Sequence, residues 1–157
     1  MKKLFFFIAI LVSGLLQVTI LNYFRIFTIK PDLLLIFVVI AGLTFELRWA
    51  LIFSLFAGIF KDVFCVTFGV NTALFFLWGL LIWRLNREIS IENNLLRALL
   101  VFIAAFIHNI ASGLILISSG NILFYGVFLR IVTLQPIYTA AVLPLAFKSV
   151  KFVYSIR

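Results

Sequence analysis

The chain alternates long apolar runs with short polar interruptions, and the lengths of the runs predict the elements. Residues 4–21 carry no charge. As a helix at about 1.5 Å per residue they cover about 27 Å, close to the hydrocarbon thickness of a bilayer. The run follows Met1-Lys2-Lys3 and continues to Leu21 without a small-x-small cleavage site, so it reads as a retained first span rather than a signal peptide. An aromatic and basic stretch then leads to Pro31-Asp32. Proline suits the first turn of a helix and an aspartate its positive end, which predicts a second span over residues 32–45.

Glu46-Leu-Arg48 reads as a tight turn, with Trp49 anchoring the next span at the interface. That third span passes Ser54 and Gly58, a small-xxx-small spacing that permits close helix contact, and reaches Lys61 and Asp62. Gly69-Val-Asn71 reads as the turn into a fourth span ending at Trp83. Residues 70–83 make only about 21 Å of helix, so the segment 64–71 is expected to dip into the membrane under the shelter of other helices. The polar segment 84–94 reads as a solvated loop. A fifth span over residues 95–117 shows Ala104, Ala105, His108, Asn109 and Ser112 at spacings of three and four, one stripe pointing into a helix bundle. Residues 118–121 form a turn, and a sixth span carries Arg130, Gln135, Pro136 and Pro144 before Lys148.

The predicted fold class is therefore an all-α polytopic membrane protein of six transmembrane helices, one integral domain over residues 1–157. Composition agrees, with 66% hydrophobic and 11% charged residues and a mean hydropathy of +1.29. The net charge of +8 would suggest nucleic acid in a soluble protein. Here the cations stand at the ends of apolar runs, where they set orientation and meet anionic headgroups of the lipid bilayer, and no nucleic-acid partner is expected. With the N-terminus inside, the inner segments hold Lys2, Lys3, Arg48, Arg84, Arg87, Arg97, Lys148, Lys151 and Arg157, nine cations, against Arg25, Lys30 and Lys61, three, outside. That asymmetry places both termini in the cytoplasm.

Lys61 and Asp62 lie deep in an apolar run, and ionisable groups at hydrocarbon depth mark functional sites. Counted from the run ends, Asp62 and His108 each lie about 20 Å from the inner interface and Arg130 about 12 Å below the outer one. The expected constellation is Asp62, His108, Asn109 and Arg130 in one polar network, with Lys61 turned outward to the headgroups. Cys65 is the only cysteine and His108 the only histidine. A disulfide within the chain and a multi-histidine metal site are thereby excluded, and no HExxH or GxSxG stretch occurs. No catalytic residue, metal or cofactor is expected.

Across nearly its full length the chain resembles the rod shape-determining membrane protein MreD family of bacteria. The resemblance rests on Pro31-Asp32 before LLLIF, on Ala57-Gly58-Ile-Phe-Lys61-Asp62, and on Phe68-Gly69-Val-Asn71-Thr-Ala73-Leu74. Lys61, Arg25 and Lys30 are not part of the family pattern. The resemblance implies a non-enzymatic component of the cell-elongation machinery (elongasome) in the inner membrane. Its partners would be a bitopic MreC-like protein and, indirectly, MreB, RodA and a penicillin-binding protein, in lateral peptidoglycan synthesis. The family also resembles the six-helix substrate-binding (S) subunits of energy-coupling-factor transporters, which implies an alternative role in binding a vitamin-sized solute.

Overall fold

The computed structural model describes residues 2–19, 29–65, 69–89, 91, 93–118 and 125–155. These residues form six helices and no β-strand: α1 (Lys2–Val18), α2 (Leu33–Thr44), α3 (Leu47–Cys65), α4 (Val70–Ile89), α5 (Asn94–Ser118) and α6 (Tyr125–Ser155). The predicted turn at 118–121 falls almost wholly outside the described residues, as does Arg25.

The α2 sequence LLLIFVVIAGLT has no polar face, and a helix apolar all round must be surrounded. Residues 34–42 are buried without a break, and α2 touches each of the other five helices. Successive helices run antiparallel. Phe6 near the start of α1 meets Phe45 at the end of α2, ring centroids 4.9 Å apart, while Gln17 near the end of α1 meets the head of α2. At the far end of the bundle, Lys3 lies over the Trp49 ring at 4.2 Å, Asn86 donates to the Leu43 carbonyl at 3.0 Å, and Arg97 lies over Phe147 at 5.0 Å. The cations Lys3, Arg48, Arg84, Arg87, Arg97 and Lys148 thus stand on helix ends that point the same way.

The outside of the bundle is apolar. On α5, Leu99, Ile103, Phe106, Ile107 and Leu114 remain exposed at helical spacing. The stretches Asn94–Ser118 and Gly126–Lys148 are long and apolar enough to cross a membrane, yet within an apolar 18-residue part of each only 33% and 22% of the residues are buried inside the bundle. The core helix of a soluble domain would be mostly buried, so these faces suit lipid.

The fourth helix departs from the sequence reading. It has 20 residues, about 30 Å, and continues through Arg84 to Ile89 instead of ending at Trp83. Arg84 and Glu88 pair across one turn at 3.5 Å, Arg87 covers the Trp83 ring at 5.5 Å, and Asn86 ties the turn to α2. The first half of the expected 84–94 loop is therefore helix, and the expected shortfall, with it the reason for a dipping 64–71 segment, disappears. Likewise α3 starts at Leu47, because the Glu46 carbonyl accepts from Trp49 and Ala50 at 3.0 and 2.9 Å.

The small-residue spacing works as read. A Cβ on Gly58 would fall on the backbone of Thr72, and one on Gly79 would fall on the Ser54 side chain, so α3 and α4 cross at the closest approach these residues allow. Gly58→Leu is expected to force the pair apart and destabilise the fold by about 1–3 kcal/mol, the usual cost of overpacking. The measurement is the midpoint of unfolding in denaturing detergent. Ile59→Leu, on an exposed face, should leave that midpoint in place.

Candidate functional site

The polar residues of the bundle gather in two adjoining groups near the end at which α1, α3 and α5 finish. The first is built on the head of α2. Pro31 precedes the helix, and Asp32 is the N-cap, its side chain accepting from Leu35 N at 3.2 Å. Capping by aspartate satisfies one of the amide donors that a helix start leaves unpaired. Gln17 of α1 serves the same turn: its Oε1 accepts from Leu34 N at 3.2 Å, and its Nε2 donates to Asp32 Oδ1 at 3.3 Å. The backbone N–H of Asp32 donates to Thr139 Oγ1 of α6 at 3.1 Å.

That leaves Asp32 Oδ2, which receives the ammonium of Lys61 from α3. The two side chains are 2% and 13% exposed, so this is a buried ion pair. Lys61 Nζ also stands 3.0 Å from His108 Nε2 of α5 and 4.8 Å from the centre of the Phe75 ring of α4. Phe75 and the imidazole lie 5.0 Å apart, centroid to centroid. All six helices therefore contribute to one network around Lys61.

The second group closes the α3–α4 connection. The N-cap position of α4 falls to Gly69, whose carbonyl accepts from Ala73 N at 3.0 Å and whose φ of 73° suits glycine. Glycine has no side-chain acceptor, so the cap comes from the neighbouring helix. Asp62 Oδ1 accepts from Asn71 N at 3.0 Å and from Asn71 Nδ2 at 2.9 Å. Its Oδ2 accepts from Thr72 N at 2.8 Å and from Thr72 Oγ1 at 2.6 Å. A carboxylate there also complements the positive end of α4.

The single expected constellation is thus divided. Lys61, expected to reach outward, turns inward, where Asp32 offers a buried cation a carboxylate that a lipid-facing path lacks and His108 Nε2 stands within hydrogen-bond distance. Asp62 is buried as expected, but these four hydrogen bonds go to α4. Arg130 is exposed on α6 and joins neither group. Asn109 donates to the Ile131 carbonyl at 3.2 Å, tying α5 to α6. His108 does share a level with the Lys61–Asp62 pair, as the depth count required. Residues 61 and 62 diverge by about 100° on a helix, which is why neighbours in sequence serve different groups.

The sequence reading missed Gln17, Phe75 and Thr139. Ser13 and Gln17 are polar residues four apart in the otherwise apolar first run, and Gln135 and Thr139 repeat that spacing in the last. Those spacings were the available signal. Among the described residues no three His, Cys, Asp or Glu side chains converge as a metal site would require. Chemically, the arrangement holds a cation, a carboxylate and an imidazole in contact within an apolar bundle. No family model, curated protein or solved structure matches the chain.

Proposed function

We propose that the chain is a six-span protein of the bacterial inner membrane with both termini in the cytoplasm, acting as a non-enzymatic MreD-like component of the cell-elongation machinery. The observation that carries the reading is that residues of the three stretches behind the resemblance adjoin one another in the fold. Asp32 of Pro31-Asp32 holds Lys61, and the next residue, Asp62, holds the Asn71-Thr72 start of α4. The motif positions Asp32, Asp62 and Asn71 therefore act as ties between helices, with Lys61, outside the family pattern, as the partner of Asp32. Such a set of ties suits a scaffold that presents its outer helix faces to a bitopic MreC-like partner.

The six-span topology is supported by the alternating helix directions, the apolar outer faces, and the collection of Lys3, Arg48, Arg84, Arg87, Arg97 and Lys148 at one end, which suits a cytoplasmic face. Depletion is expected to turn rod-shaped cells round, and purification in mild detergent is expected to bring down a bitopic partner. Unchanged cell shape, together with saturable binding of a vitamin-sized molecule by the purified protein, would instead assign a solute-binding transport subunit.

A further inference from the structure

His108 is 1% exposed, and its two ring nitrogens stand in different situations. Nε2 faces Lys61 Nζ at 3.0 Å. Nδ1 is buried with no hydrogen-bond partner among the described residues. Lys61 determines which nitrogen carries the proton, because an ammonium has three protons and no lone pair. One proton goes to the Asp32 carboxylate, one points to His108 Nε2, and the third has the Phe75 face before it. With Lys61 as donor, Nε2 must be the acceptor. The neutral ring therefore carries its own proton on Nδ1.

We propose that the Nε2 lone pair of His108 is a proton-binding site that Lys61 occupies, so that protonating His108 and seating Lys61 against α5 are alternatives. A proton arriving from water forms an N–H bond with that lone pair. The product is an imidazolium with donors on both nitrogens, and no electrons or further groups are exchanged. Lys61 then faces a cation at contact distance instead of an acceptor, and it withdraws.

The surrounding charges fix the direction of the response. Lys61 and Asp62 come from α3, Asp32 from the head of α2, and Lys30, just before that helix, donates to the Gln17 carbonyl at 3.2 Å. Around the network α4 presents the Phe75 ring, α1 the Gln17 amide and α6 the Thr139 hydroxyl, all uncharged. With His108 neutral, the two cations Lys30 and Lys61 balance the two carboxylates Asp32 and Asp62. Adding a proton leaves one excess positive charge in an apolar interior, and the protein relieves it by separating Lys61 from His108. Asp32 stays in place, held by Leu35 N and Gln17.

The joint that opens is the one between α3 and α5. The pairing of α5 with α6 does not depend on it, since Asn109 reaches the Ile131 carbonyl and Gly113 packs against Phe128. Acidification therefore loosens the α3–α5 contact alone, while Thr139 still ties α6 to the head of α2 and α5 stays packed on α2 and α4.

His108 is the only histidine, so labelling histidine with nitrogen-15 gives a single imidazole to follow. The experiment is magnetic resonance on the full-length protein in lipid bilayers, with lysine labelled as well. At neutral pH the expected result is a protonated Nδ1, an unprotonated Nε2 and a through-space contact between Nε2 and one lysine Nζ. On acidification, protonation of Nε2 and loss of the lysine contact should occur as one transition. Lys61→Met should move the neutral ring toward the Nε2–H form. An Nε2–H ring in the unmodified protein at neutral pH would overturn the proposal, and so would an imidazolium that keeps its lysine contact. If Lys61→Met does not fold, those two wild-type measurements still decide. The result is independent of whether the protein serves cell shape.

Discussion

Lys61→Met is expected to destabilise the fold by about 3–5 kcal/mol, the cost of stripping one partner from a buried ion pair. The size follows from what remains, a 2% exposed Asp32 carboxylate with no counter-ion. Asp32→Leu should cost at least as much, since it also removes the cap on Leu35 N, worth about 0.5–2 kcal/mol. The discriminating variant is the double one, Asp32→Asn with Lys61→Met. Asparagine keeps a carbonyl oxygen for Leu35 N, methionine keeps most of the apolar stem, and no charge is left to desolvate. Replacing both members of a buried pair is often close to neutral, so the double variant should be more stable than either single one. Unfolding midpoints in denaturing detergent for the wild type, Asp32→Asn, Lys61→Met and the double variant measure the coupling. Strictly additive effects would show that the pair contributes nothing beyond its parts.

The parts of the fold visible in the sequence are those where one helix decides its own fate. Pro31-Asp32 had to open α2, the Ser54–Gly58 spacing had to be a close crossing, and the stripe through Ala104 and His108 had to face inward. What could not be read depended on a partner from elsewhere. Lys61 has two physically acceptable paths, outward to headgroups or inward to a counter-ion. The choice rests on Asp32, which local logic had already assigned to the positive end of α2. An aspartate has two oxygens, and the cap uses one. The length of α4 was hidden for a similar reason: Arg84 and Arg87 look like the end of a span, but their side chains pair and stack along the helix, so the backbone continues through them. Arg130 drew attention by charge and depth alone, and neither implies a side chain pointing inward.

Asp62→Leu is expected to unravel the first turn of α4 and to cost about 3 kcal/mol or more, since hydrogen bonds to a charged group contribute about 1.5–3 kcal/mol each and buried donors without acceptors are penalised further. Among the described residues four donors converge on this carboxylate, two backbone amides and two side-chain groups, and Gly69 offers no replacement. Asp62→Asn separates charge from hydrogen bonding. Its single carbonyl oxygen can serve the Asn71 amide and side chain, while its NH2 confronts the Thr72 N–H, donor against donor. The Thr72 hydroxyl can rotate to accept from that NH2, but the Thr72 N–H cannot change its role. The asparagine variant should therefore lose about 1–3 kcal/mol, an intermediate effect set by one stranded amide. Amide hydrogen exchange locates the damage: Thr72 should lose protection in both variants and Asn71 only in Asp62→Leu, while residues 34–42 of α2 stay protected in each. Equal protection of Asn71 and Thr72 in all three proteins would mean that α4 starts without its neighbour's help. In that case Asp62 would be held in place for a reason other than capping.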